Sequence, residues 1–275
     1  MSKTQSNHLF SANRLLTTYG ILGIGFLYLP IVFLVLFSFN DYIIPSLPFR
    51  GFTLKWYQEL AYDFVLHEAL ENSLFIAAFT TIISTTLGTL AALPLVRRTF
   101  RFKRSTRLLV LLPMVIPHFL MGVALLLLFT YLKLPLSRFT VILGHVVFTL
   151  PFAVLIISTR LYGFDRTLEQ ASGDLGANRF QTFWHITFPL ILPGIVGAAL
   201  LVFTLSMDEF MITYFVSGQK GTLTMYIWSL LKDGIAPRVN ALASVLLIAS
   251  FALLLLGAWV REIGTKNTSS DRKLR

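Results

Sequence analysis

The chain has 275 residues, 55% of them hydrophobic and only 13% charged, with a mean hydropathy of +0.73. Soluble domains carry about a quarter charged residues, so this composition excludes an ordinary soluble fold and reads as an all-α polytopic membrane protein. Cysteine is absent, which excludes disulfides, thiolate nucleophiles and Cys-based metal sites, and the formal charge of +10 has to be explained by its distribution.

A hydrocarbon core of about 30 Å takes roughly 20 mostly apolar residues per helix. Six segments meet that length, at 19–39, 72–96, 108–131, 139–158, 188–216 and 241–260, which predicts six transmembrane helices within one membrane domain over 19–261. The first run is too long for a cleavable signal peptide, and no small-residue cleavage site follows Phe39-Asn40-Asp41. Residues 1–18 form a short leading segment, and 262–275, polar and rich in Ser, Thr and Lys, read as a disordered tail.

The loops and termini, assigned alternately to the two sides, place all but seven of the 23 Lys and Arg residues on one side. The seven are Arg50, Lys55, Lys133, Arg138, Lys220, Lys232 and Arg238. This positive-inside bias predicts a multi-pass membrane protein with both termini cytoplasmic. The cluster RRTFRFKR (97–104) is then a topology anchor, not a nucleic-acid patch.

The first external loop, 40–71, is the longest, and its FTLKWYQEL reads as a short amphipathic helix at the outer interface with Trp56 and Tyr57 as aromatic anchors. Pro113 and Pro117, four apart, predict a bend in the third span. His118 and His145 lie within spans, where a lone histidine reads as a hydrogen-bonded packing residue.

Residues 165–186 interrupt the apolar pattern with two short amphipathic helices. Leu168, Ala171 and Leu175 share one face of the first, Gly176 supplies a φ > 0 turn, and Asn178 caps a second in which Phe180, Phe183 and Trp184 align. Periodicity alone fits a docking elbow and a membrane-resting helix equally.

The segment resembles the EAA loop of type I binding-protein-dependent ABC importer permeases: EAA, three residues, Gly, nine residues, Ile-x-Leu-Pro. Aligned on Gly176, the triplet falls on Gln170, Ala171 and Ser172, and Ile186 and Pro189 take their places at full spacing. Gln170, Ser172 and Phe188 depart from the pattern. The resemblance implies the type I permease fold with a cytoplasmic coupling-helix elbow. It also implies four kinds of partner: a second permease, two cytoplasmic ATPase subunits, a periplasmic binding protein and membrane lipid. Coupling to the ATPase would run through Gln170, Ala171, Ser172, Leu175, Gly176, Phe180, Phe183, Trp184, Ile186 and Pro189. A neutral Gln170 puts any salt bridge at that position in doubt.

SFND (38–41), GFTLKWY (51–57), LYGFDRTLEQASGDLGA (161–177), FTLSMDEF (203–210) and VNALAS (239–244) are similar to the second permease subunit of spermidine/putrescine importers. Permeases for 2-aminoethylphosphonate, ferric iron and thiamine share them loosely. In such a subunit Asp208 and Glu209, inside the fifth span, would meet a protonated polyamine. The competing readings are a buried pair with His145 or Arg160 as partner, or a helix interruption near the outer interface. Tyr214, Tyr226 and Trp228 offer ring faces to an ammonium, or belong to the interfacial belt. No GxxxxGK[ST], GxSxG or HExxH occurs, so the chain is expected to bind no cofactor or metal and to leave ATP and Mg to the partner ATPase. An ATP-independent secondary transporter is the other class, and its internal repeat and dispersed membrane charges are not visible.

Overall fold

The computed structural model describes residues 3–42, 51–232, 234 and 237–252, with side chains from residue 16 onward. These residues are helical apart from connecting turns and a single bridge between Asn40 and Phe52. The chain divides into two units, one made of Met1–Asp63 with Ser229–Arg275 and the other of Phe64–Trp228.

The first unit contains α1 (Lys3–Phe37) and α2 (Lys55–Ala61). Helix therefore begins well before the predicted span start at residue 19. No residue in the apolar stretch Leu16–Phe37 is buried, so α1 depends on lipid or a partner to cover it. Its end is pinned to the following loop. Trp56 is buried and donates its indole N–H to the Asn40 carbonyl at 2.9 Å, while Tyr57 Oη and Ser38 Oγ share a hydrogen bond of 2.7 Å. Phe39 stacks on Phe52 with ring centroids 5.0 Å apart. The expected interfacial anchors thus serve an internal clamp, because the polar end of each ring finds a partner within the chain. Arg238 forms an ion pair with Asp63. The sixth predicted span, 241–260, falls on the apolar helix Pro237–Ala252 and then on residues outside those described, as does the predicted tail.

The second unit packs α3 (Phe64–Arg97), α6 (Arg138–Tyr162) and α9 (Phe188–Asp208) against one another. Ile76, Met121, Phe129, Val141, Phe148, Ile212 and Val216 form one core, and Ala92, Ala153, Ile157, Leu161, Ile191, Ala198 and Val202 another. The axes approach closely where side chains are small: a Cβ on Gly88 would lie 2.7 Å from that of Ala153. A buried polar seam runs through this packing, with Ser84 Oγ 2.8 Å from Thr149 Oγ1 and the Thr149 hydroxyl donating to the His145 carbonyl at 2.7 Å.

The third span is broken. α4 (Lys103–Leu111), a tight turn at Leu112–Met114 and α5 (His118–Tyr131) meet at a bend of 102°. Pro113 and Pro117 lack the N–H groups that a continuous helix would need there. Among the described residues, four helices are long and apolar enough to cross a membrane, or five with this bent pair counted as one.

Two boundaries differ from the sequence reading. α7 (Thr167–Asp174) is a separate short helix, but α8 (Arg179–Thr182) continues through a π turn at Phe183–Thr187 directly into α9. The π turn accommodates Pro189, whose missing N–H would leave a gap in a regular ladder; Phe188 N–H reaches back five residues to the Phe183 carbonyl. α9 then stops at Asp208, since Glu209 takes an extended ψ of 112°, and α10 (Met211–Val216) starts anew. The predicted single span over 188–216 is therefore two helices. α11 (Leu223–Lys232) follows, its start tied down by the Leu223 N–H donating to Ser73 Oγ at 2.8 Å.

Candidate functional site

Two places stand out, the elbow between α6 and α9 and the break between α9 and α10. At the elbow, the Thr167 N–H donates to Asp165 Oδ1 at 3.0 Å, which starts α7 and holds that exposed carboxyl below its usual pKa. Gly176 has φ +88°, the left-handed turn that lets the chain reverse, and no heavy atom lies within 4 Å of where its Cβ would be. Asn178 Oδ1 accepts from the N–H groups of Phe180 and Gln181 at 3.1 and 2.9 Å, and Gln181 Oε1 accepts from the Asn178 N–H at 2.9 Å. That reciprocal cap fixes the second helix. Ser172 Oγ and Thr182 Oγ1, 3.1 Å apart, tie the two arms together.

This scaffold holds an apolar crest away from the rest of the unit. Leu175 is 89% exposed, Phe180 72% and Trp184 46%, and the Trp184 ring lies 5.4 Å from Phe183 and 4.9 Å from Phe188. Gln170, Ala171 and Pro189 are exposed too, whereas Ser172, Phe183 and Ile186 are half-buried. The sequence reading missed Glu169. Its Oε1 lies 3.3 Å from Arg97 Nη2 and accepts the Thr187 hydroxyl at 2.8 Å, so a carboxylate one residue before Gln170 joins the elbow to α3 and to the base of α9. Arg166 adds a hydrogen bond to the Val96 carbonyl at 3.1 Å. The legible signal was an acid on a short helix in a chain with a basic cluster, RRTFRFKR, at the end of the second span.

At the α9–α10 break the two adjacent carboxylates part company. Glu209 is buried, with Oε2 2.9 Å from His118 Nδ1 and Oε1 accepting the Ile212 N–H at 2.9 Å. Its carbonyl accepts the Thr213 hydroxyl at 2.9 Å. Glu209 is thus the cap that starts α10, and its partner is His118, not His145 or Arg160. His145 is fully buried, its ring nitrogens each 2.8 Å from the hydroxyls of Ser206 and Thr213. Arg160 donates instead to the Leu190 carbonyl at 3.1 Å. Asp208 is exposed and makes no ion pair or hydrogen bond among the described residues. Beyond it, Phe210 lies between the exposed rings of Tyr214 and Trp228, with centroids 5.6 and 5.4 Å away. Tyr226 is buried and does not share this face.

Comparison with known proteins adds three findings. Residues 84–267 match the family described as binding-protein-dependent transport system inner membrane component. The chain is 35% identical over 250 residues to the spermidine/putrescine transport system permease protein PotC of Escherichia coli K12, covering 90% of this chain and 94% of that one. It is 39% identical over 235 residues to the putrescine transport system permease protein PotI of the same strain, covering 82% and 83%. In fold it is similar to a chain of a bacterial alginate ABC transporter solved in complex with an alginate pentasaccharide-bound periplasmic protein, with a TM-score of 0.71 at 16% identity, covering 92% of this chain and 94% of that one.

Proposed function

Since the chain belongs to the family of binding-protein-dependent transport system inner membrane components, we propose that it is the permease subunit through which a polyamine enters the cell. It pairs with a second permease, receives cargo from a periplasmic binding protein, and is driven by two ATPase subunits that supply ATP and Mg. The chain itself binds no cofactor. The elbow is cytoplasmic and seats its crest of Leu175, Phe180 and Trp184 in an ATPase subunit, with Gln170, Ala171 and Ser172 beside it. Both termini lie on that side.

The observation that carries the cargo reading is the division of labour at the α9–α10 break. A carboxylate in a membrane span is costly unless it meets water or a cation. Glu209 has its partner, and Asp208 stands exposed without one among the described residues, two positions before Phe210, whose ring neighbours those of Tyr214 and Trp228. A protonated amine is suited to both features, since ring faces attract an ammonium by about 0.5–2 kcal/mol and a carboxylate supplies the opposite charge. The 35–39% identity to polyamine permeases supports the same class of cargo.

Asp208→Asn removes the charge and keeps the shape. In proteoliposomes containing the assembled complex, uptake of labelled spermidine or putrescine should fall at least tenfold, with subunit stoichiometry and basal ATP hydrolysis unchanged. Uptake equal to wild type would remove Asp208 from the pathway.

A further inference from the structure

The end of α3 and the elbow line an open cavity of about 610 Å³ that the transport reading does not use. Leu90, Leu93, Pro94 and Phe183 give it apolar lining, and Arg97, Arg98 and Arg179 contribute three guanidinium groups. Among the described residues the one acid lining it is Glu169, which Arg97 and Thr187 already hold. Arg98 and Arg179 have no carboxylate partner among the described residues, and Arg97 Nε is buried without a hydrogen-bond acceptor. The surplus of guanidinium repels a polyamine, so the cavity lies off that route.

Guanidinium groups present planar forks of donors that match phosphate oxygens two at a time. Basic pockets between spans on the cytoplasmic side recognise anionic headgroups in this manner, and apolar lining suits the hydrocarbon that a lipid phosphate carries. We propose that this cavity is a binding site for a phosphate group, supplied by an acidic phospholipid or by a soluble phosphate. The phosphate bridges Arg98 at the end of α3 and Arg179 on the elbow. Occupancy then fastens the elbow to the span bundle through charge, in parallel with the Arg97–Glu169 pair.

The test uses the complete transporter purified with its partner subunits in neutral detergent. Cardiolipin, phosphatidylcholine and inorganic phosphate are the probes. Phenylglyoxal labelling of the unmodified complex, read residue by residue in a mass spectrometer, needs no variant. Cardiolipin is expected to protect Arg98 and Arg179 several-fold while Arg101 and Arg104, outside the cavity, stay reactive. Phosphatidylcholine is expected to protect neither arginine. Protection by inorganic phosphate alone also supports the site and assigns the soluble source. In parallel, Arg98→Ala with Arg179→Ala should raise the dissociation constant of the effective probe at least tenfold, and Arg101→Ala with Arg104→Ala should not. No protection by any probe, or equal protection of all four arginines, overturns the proposal. So does undiminished affinity in the Arg98/Arg179 variant.

Discussion

Asp208 and Glu209 are neighbours in sequence and opposites in environment, and the helix break between them makes the difference. On a continuous helix adjacent side chains diverge by about 100°, which leaves open which of the two is buried. The ψ of 112° at Glu209 turns its carboxylate inward, where it meets His118 and the first free N–H of α10. A helix interruption was one of the readings the sequence left open, but the letters Asp-Glu do not fix which carboxylate it buries, and His118, 91 positions earlier, was read as a packing residue. The consequence is a separation of phenotypes. Glu209→Ala leaves the Ile212 N–H unpaired in the core and strips His118 of its partner. Hydrogen bonds to charged groups contribute about 1.5–3 kcal/mol each, so the thermal midpoint of the purified protein should fall by several degrees. Asp208→Asn, with no hydrogen bond to lose, should leave the midpoint in place while abolishing uptake. A common drop in both would make Asp208 structural.

At the scale of elements, the elbow was largely legible, and the reasons are local. Gly176 and Asn178 act through their own backbone and nearest N–H groups, so their turn and cap were readable from residue type and spacing. The bend at Pro113 and Pro117 was readable for the same reason. Continuity from Arg179 through the π turn into α9 was not, because it depends on how the ladder rearranges around a proline. Gly176 offers a clean test, since nothing crowds its missing Cβ and conformation alone penalises a side chain there. Gly176→Val should strain or unwind the turn, because a β-branched residue is a genuine outlier at φ > 0, while Gly176→Asn should be tolerated. In the assembled complex, ATP hydrolysis stimulated by loaded binding protein should drop to near basal for the Val variant and stay within about twofold of wild type for Asn. Equal activities would mean that the turn can form without a left-handed residue.

For the whole molecule, spans and elbow differ in what sustains them. The packed helices α3, α6 and α9 owe their stability to buried small-residue contacts and the polar seam, while the elbow is held to them by the helical continuity of α8 into α9, the Arg97–Glu169–Thr187 link and the Arg166–Val96 hydrogen bond. Its outermost side chains contribute nothing to that core: Leu175 and Phe180 are more exposed than an isolated chain has reason to leave them. Phe180→Glu should therefore leave insertion, membrane abundance and thermal midpoint unchanged. On the proposed docking, what changes is the fit to the ATPase. A carboxylate pressed into an apolar groove must shed its water without gaining a partner, a cost of several kcal/mol, and every 1.4 kcal/mol is a factor of ten in affinity. Co-purification of the ATPase subunits should fall by at least tenfold, and uptake with it. Leu175→Glu should behave alike, because it too is an exposed apolar side chain on the elbow. A variant at Gln181, on the elbow but committed to capping Asn178, should instead loosen α8 and lower the midpoint. If Phe180→Glu retained full ATPase binding and uptake, the crest would rest in the membrane surface, the alternative that periodicity alone left open.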